Sequence, residues 1–256
     1  DLHKEYRRQR QMCIRDSSFT DSPNIGAIHS FSFHNYVTLF TTPELIDMII
    51  GSVALAIGSA VLATILGTTG AIGAFYSKKN VNGTMSVLNQ IPVVNADVVT
   101  GFSLCILLVV VFGVSKNTYI PLIIGHTVLS APFVYLAVVP KLKQMDPSLY
   151  EAALDLGATP GYTLIHIIIP QIASGIVSGF VMAVTLSLDD YFVATYTKPA
   201  TFDTISTYVV NATKGSQTNI RTALWALSTI IFLIVVIVEV VMNFAPIKNE
   251  AQKEKH

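Results

Sequence analysis

From Met48 to Ser77 the chain runs without one charged residue. A helix needs about 20 mostly apolar residues to cross the hydrocarbon of a bilayer, so this run is long enough to span with room for tilt. Inside lipid every backbone amide must find its partner within the chain, which leaves a helix as the natural form for a single run of this kind. Four further runs follow: Val98 to Ser115, Thr118 to Val139 (interrupted only by His126), Ile167 to Leu188, and Thr222 to Val238, closed by Glu239. Charged residues make up 12% of the chain, about half of what a soluble domain carries. The fold class expected is therefore an all-α membrane protein, a polytopic helical bundle with five visible spans. Gly51, Ser52, Ala56, Gly58, Ser59, Ala60, Gly67, Gly70 and Gly73 stud the first run, and small residues of this kind let helix backbones approach closely in lipid.

Basic residues set the direction of the spans. Lys78 and Lys79 follow the first run, Lys141 and Lys143 the third, and Lys248, Lys253 and Lys255 the fifth. With alternating spans these fall on one side, which is then cytoplasmic, and the segment between Pro140 and His166 lies there too. Lys116, Lys198, Lys214 and Arg221 are left to the other side. The N-terminus breaks the scheme, because Lys4, Arg7, Arg8, Arg10 and Arg15 would lie outside. The run Arg10 to Ser17 also resembles a recurrent translation of sequencing-adapter DNA. We expect residues 1–17 to be non-native and a first span to be missing, with 18–246 as the membrane domain and 247–256 as a polar cytoplasmic tail. The alternative is a basic amphipathic segment lying on a membrane surface.

Several chemistries are excluded. Sixteen basic residues balance sixteen acidic ones, which gives no field for nucleic acid. Cys13 and Cys105 are the only cysteines, too few for a disulfide framework or a cysteine metal site. There is no G-x-x-x-x-G-K-[ST] loop to hold ATP phosphates, and neither zinc spacings nor nucleophile motifs occur.

The segment between the third and fourth runs has its own architecture. Asp146-Pro147-Ser148 reads as a helix start, with an oxygen-bearing cap and then Pro in the first turn. Leu149, Ala152, Ala153 and Leu156 recur at three- and four-residue spacing, an apolar stripe on a short helix. The alanines make that stripe shallow enough for close docking, and Gly157 stands where a left-handed cap would end the helix. Thr159-Pro160-Gly161 punctuates again, and a second short helix is expected from Tyr162 to Ile169, ahead of Pro170. Together they form a compact elbow over 147–166.

The pattern E-A-A-x3-G-x9-I-x-[aliphatic]-P, from Glu151 to Pro170, resembles the coupling loop of permease subunits in bacterial ABC importers. From about Ser18 onward the chain resembles the C-type permease of spermidine/putrescine-type ABC importers. Asn35-Tyr36-Val37-Thr38-Leu39-Phe40, Ile91-Pro92-Val93-Val94, His126 through Pro132-Phe133, Leu186-Ser187-Leu188-Asp189-Asp190 and Ala226-Leu227-Ser228-Thr229 carry the likeness. The resemblance implies the ABC type I importer permease fold with six spans, one more than this chain shows. It implies half of a translocation path, completed by a homologous permease, in a bacterial inner membrane. An extracytoplasmic binding protein would deliver the cargo, and two cytoplasmic ATPase subunits would bind ATP and Mg. This chain itself would hold no cofactor. Glu151, Ala152, Ala153, Gly157, Ile167 and Pro170 become the residues that couple to the ATPase.

Asp189, Asp190 and Tyr191 are the candidates for the substrate path. Carboxylates would complement a linear polycation, and Tyr191, Phe192, Tyr196 and Tyr208 could stack on alkyl-ammonium groups. The alternatives are a solvated pair, a cap on the following turn, a contact with the binding protein, and an interfacial aromatic belt. His126 reads as an interhelical hydrogen-bonding residue or a proton relay; Asp47 and Asp97 read as boundary charges. Thiamine, ferric iron and sulfate are the other cargoes carried by related permeases. A secondary transporter would need inverted repeats with broken helices, and the runs show no such correspondence. A scaffold without transport would have no use for the elbow.

Overall fold

In the computed structural model, residues 41–146, 148–214 and 229 are described, and every regular element among them is helical. The string Asn35–Phe40, the fifth run apart from Thr229, and the two terminal segments lie outside the described residues. The chain divides into two units, Gly51–Thr204 and the combination of Asp1–Ile50 with Ile205–His256. The second contributes the first turns of α1 and the helix α10, Ile205–Lys214.

Helix α1, Pro43–Tyr76, is 34 residues long, about 50 Å at 1.5 Å per residue and longer than the hydrocarbon is thick. Its surface inverts the soluble pattern. Ser52, Ala56, Ser59, Ala60, Ala63 and Gly67 are buried at helical spacing, while Val53, Ile57, Val61, Leu62, Ile65 and Leu66 are exposed. Small residues inward and large aliphatics outward is the arrangement of a helix whose solvent is lipid. The close-approach role expected for all the glycines belongs to only some of them. A Cβ on Gly67 would stand 2.7 Å from Val134 Cβ and one on Gly51 2.6 Å from Phe202 Cε2, whereas Gly58, Gly70 and Gly73 face open space.

The other elements are α2, Lys79–Val94, α3, Asp97–Ile106, with a π-helical turn at Leu107–Val111, and α4, Ile120–Gln144. Then come α5, Ser148–Asp155, α6, Pro160–Thr163, a π-helical turn at Leu164–Ile168, and α7, Ile169–Gln171. Finally there are α8, Ala173–Asp189, and α9, Phe192–Thr197.

Two of these helices, α1 over Leu45–Tyr76 and α4 over Ile120–Gln144, are each long and apolar enough to cross a membrane. Two more candidates are bent pairs: Asn82–Val94 with Asp97–Val111, at 105°, and Pro160–Gln171 with Ala173–Asp189, at 72°. The expected second span therefore differs in form. Its helical part ends at Val111, Gly113 turns away at φ 66°, and its apolar continuity extends backward across a break at Asn95–Ala96. Broken helices, not seen in the sequence, are present at two places.

Helix α4 is the hub. Its Val134, Val138 and Leu142 are fully buried in a core with Ala60, Ala63, Ala71, Ile168, Ile172 and Ala183. The buried residues of α8 are Gly175, Gly179, Ala183 and Ser187, one small residue every turn on the face toward α4. A Cβ on Gly175 would meet Lys141 Cγ at 2.8 Å and the Ala137 carbonyl at 3.0 Å; one on Gly179 would meet Val134 Cγ1 at 3.0 Å. The backbones touch because nothing stands between them. Gly179→Leu is expected to force α8 off α4, at about 1–3 kcal/mol or more, and to lower the thermal midpoint in lipid nanodiscs by several degrees. Val177, 54% exposed on the same helix, serves as the control, and Val177→Leu should be silent. An unchanged midpoint for Gly179→Leu would rule out the close packing.

Candidate functional site

The end of α8 builds the site. The helix stops at Asp190, whose amide still donates to Leu186 O at 3.1 Å but whose backbone turns extended, at φ −69° and ψ 120°. The chain re-enters helix two residues later as α9. The Asp190 carboxylate closes this junction: Oδ1 accepts from Val193 N at 3.2 Å and Oδ2 from Ala194 N at 2.9 Å. Those amides are among the first-turn donors that a helix leaves unsatisfied, and a negative charge there also meets the positive end of the helix dipole. With 8% of its surface exposed, Asp190 has the capping role that the sequence left as an alternative.

Val193 seats α9. A Cβ on Gly101 of α3 would lie 2.9 Å from Val193 Cα, and one on Gly125 of α4 2.8 Å from Val193 Cγ1. One valine fills the notch between two helices that both dispense with side chains at that level. Tyr196, a candidate for cargo stacking, instead meets Phe102 edge-on with centroids 5.6 Å apart. Tyr208 lies on α10 and outside this unit.

Beside the junction is a cavity of about 410 Å³, whose wall includes Asp97, Asp189, Asp190, Tyr191, Phe192 and Phe133. Asp189, Asp190 and Tyr191, the candidates for the substrate path, all line this cavity. Asp189 is exposed where Asp190 is buried. Tyr191 and Phe192 pack edge to face with centroids 5.3 Å apart. Asp97 joins them in the wall. Read as a boundary charge, it stands in the first turn of α3 at the 105° break and faces the cavity. Pro92 within α2, followed by the helix-poor Asn95, is the signal that could have marked this break.

Behind Asp190 lies a buried polar line. His126 on α4 is 0% exposed, with Nδ1 2.9 Å from Ser187 Oγ of α8. Ser187 Oγ is 3.2 Å from Ser59 Oγ of α1, so three helices share one hydrogen-bonded string. The interhelical role read for His126 is what the structure displays.

The elbow at the opposite end of α4 is equally specific. Both the amide and the hydroxyl of Ser148 donate to Asp146 Oδ1, at 2.9 and 2.8 Å, and these bonds hold the Asp146 carboxyl below its ordinary range. Helix α5 ends in a Schellman turn: Ala158 N donates to Ala153 O at 3.0 Å and Gly157 N to Leu154 O at 2.9 Å, with Gly157 at φ 86°. This is the left-handed C-terminal cap expected at Gly157. Leu149 and Tyr150 pack on the core, and Tyr150 meets Tyr76 at the end of α1 with ring centroids 4.9 Å apart.

The expected apolar stripe is divided between two directions. Ala153 is buried, 6% exposed, whereas Glu151 and Ala152 are exposed and Leu156 is 90% exposed. Ala153 faces its own bundle, and Leu156 is the exposed apolar residue of the stripe. The second short helix also differs from its expected limits. It begins at Pro160 under a Thr159 cap, whose hydroxyl accepts from Tyr162 N at 3.4 Å, and runs through Pro170 to Gln171. Pro170 cannot donate to the carbonyl of His166, and the turn ahead of it widens to the π pattern. Ile167 packs against the core and Pro170 is exposed, two residues ahead of the bend at Ile172.

Residues 67–245 match the family described as binding-protein-dependent transport system inner membrane component. The chain is 30% identical over 223 residues to the spermidine/putrescine transport system permease protein PotC of Haemophilus influenzae, covering 86% of this chain and 83% of that protein. It is also 30% identical over 185 residues to the putrescine transport system permease protein PotI of Escherichia coli, covering 70% of this chain and 66% of that protein. The fold is shared with the bacterial alginate ABC transporter crystallised in complex with alginate pentasaccharide-bound periplasmic protein. There the TM-score is 0.67 at 16% identity, over 91% of this chain and 87% of that chain.

Proposed function

The chain belongs to the binding-protein-dependent transport system inner membrane component family, and from that membership we propose that it forms half of a polyamine path in an ABC importer. It is an ABC importer permease and a transport subunit of the membrane. The finer reading concerns its cargo, spermidine or putrescine. The observation that carries it is the cavity wall, where Asp97, Asp189 and Asp190 converge beside Tyr191 and Phe192. A flexible diamine has two cationic ends and an apolar middle. Carboxylates answer the ends, and aromatic faces answer both the alkyl chain and the ammonium groups. Sulfate would meet the same wall as repulsion. The spermidine and putrescine transport of the two similar permeases supports the same choice.

The proposed partners are a homologous permease, two ATPase subunits and an extracytoplasmic binding protein. ATP and Mg would be bound by the ATPase, and the elbow and C-terminus would face the cytoplasm. Uptake of radiolabelled putrescine by cells carrying the complete transporter tests the cargo. Uptake should saturate, be displaced by excess spermidine, and be indifferent to thiamine or sulfate. Uptake that persists unchanged when this chain is deleted would overturn the reading.

The elbow would dock the ATPase through the exposed surface around Leu156, with Glu151 and Ala152 beside it. Its anchoring on Tyr76 and the core lets it move α4 and α8 as a rigid body. Leu156→Cys should crosslink to an ATPase subunit carrying cysteines in its docking groove, whereas Ala153→Cys, buried against its own bundle, should not. Equal crosslinking at the two positions, or none at Leu156, would contradict this docking face.

A further inference from the structure

The imidazole of His126 is held on one side only. Nδ1 lies against Ser187, but Nε2 is buried with no hydrogen-bond partner among the described residues, and Asp190 Oδ2 stands 3.8 Å from it. This restricts where protons can be. A bare Nε2 lone pair opposite an ionised carboxylate is repulsive where burial leaves charges weakly screened. Whenever Asp190 is charged, Nε2 therefore carries hydrogen.

Two states meet that condition. In one the imidazole is neutral, and the Ser187 hydroxyl donates to Nδ1. In the other it is an imidazolium, Nδ1–H donates to Ser187 Oγ, and the Ser187 hydroxyl turns toward Ser59 Oγ, 3.2 Å away. Ser59 can pass its own hydrogen to Ala56 O, at 3.2 Å. Hydroxyls reverse roles by rotation alone, so both states fit the same heavy-atom positions. The serine string lets His126 take up a proton without repacking the helices.

We propose that His126 is a positioning residue for transport that sets the charge Asp190 offers to the cavity. The proposal rests on the cavity being a cation path. As an imidazolium, His126 neutralises Asp190 from behind; when neutral, it leaves the carboxylate to an amine arriving from the cavity. A proton on His126 and a cationic cargo thus compete for one negative charge. The titratable groups around Asp190 in the cavity wall are Asp97 from α3, Asp189 from α8, and Tyr191. Helix α9 bears no charge between Phe192 and Thr197, and Lys198 beyond it is paired with Asp203 at 2.7 Å.

Two measurements test this. In proteoliposomes holding the complete transporter, wild-type putrescine uptake should fall several-fold as pH is lowered from neutral through the range in which His126 takes up its proton. In His126→Gln, which can still hydrogen-bond but cannot titrate, that fall should shrink to less than twofold. An unchanged pH profile in His126→Gln would overturn the proposal. Nitrogen NMR of the imidazole-labelled chain in nanodiscs stands independently of transport. The His126 titration should shift when Asp190 becomes Asn, and identical titrations in the two proteins would equally overturn the pairing. Wild-type protein that takes up no putrescine at any pH would refute the polyamine reading, and the NMR comparison would then decide the pairing by itself.

Discussion

Asp190→Ala will lose the folded protein, and Asp189→Asn, one residue away, will lose cargo without losing the fold. Asp190 divides its two oxygens between Val193 N and Ala194 N in a buried junction. Alanine removes the cap and leaves buried amides without acceptors, a cost on the order of 3 kcal/mol. The alternative capping role would have made Asn at 190 a silent replacement. The observed geometry does not, because Asn offers one oxygen where the junction uses two, so Asp190→Asn should fall between wild type and Ala. Asp189, exposed and lining the same cavity, is the cleaner probe of charge. In nanodiscs we expect Asp190→Ala to be depleted or to unfold well below wild type. We expect Asp189→Asn to keep the wild-type midpoint and lower putrescine uptake about tenfold, the effect of 1.4 kcal/mol. A wild-type midpoint for Asp190→Ala would end the capping assignment, and full uptake by Asp189→Asn would end its path role.

Gly157→Val should leave a membrane-inserted protein that no longer couples ATP hydrolysis to uptake. A Cβ at Gly157 would touch nothing within 4 Å, so crowding is not the reason. The φ of 86° is: a left-handed residue other than glycine costs about 1–2 kcal/mol, and a β-branched one is a still poorer fit. Valine would unwind the Schellman turn and swing α5 relative to the helix that starts at Pro160, moving Leu156 off its docking position. Gly157→Asn is the discriminating control, since asparagine tolerates the left-handed region. It should retain most uptake while Val retains less than a tenth. Equal loss in both variants would point to a contact made by the glycine surface, and equal retention would remove the mechanical role altogether.

Much of the elbow was legible because its signals are local. Asp146 as a cap, Gly157 at positive φ and Thr159-Pro160 as a helix start each depend on a few consecutive residues and on one backbone preference. The division of the stripe was not legible. Leu149, Ala152, Ala153 and Leu156 share a spacing, but which of them meets its own bundle depends on where Tyr76 and the core stand, and periodicity carries no such information. The breaks at Asn95–Ala96 and Ile172 were hidden for a related reason. Hydropathy registers that a run is apolar, and a bent helix is as apolar as a straight one.

The sequence by itself determined that this chain is a bundle of membrane helices with a capped elbow between two of them, because charge-free length and turn chemistry are properties of consecutive residues. It also marked Asp189 and Asp190, since ionisable groups at the end of an apolar run stand out. Only the tertiary structure decided where those groups stand and what they bond. It placed Asp97 in their cavity, made Asp190 a cap with His126 behind it, and chose Gly67 and Gly179 over Gly58 and Gly73 as contact glycines. Those outcomes follow from which helix faces meet α4. Facing is set by packing among residues far apart in the chain, where backbone proximity and buried polar partners decide.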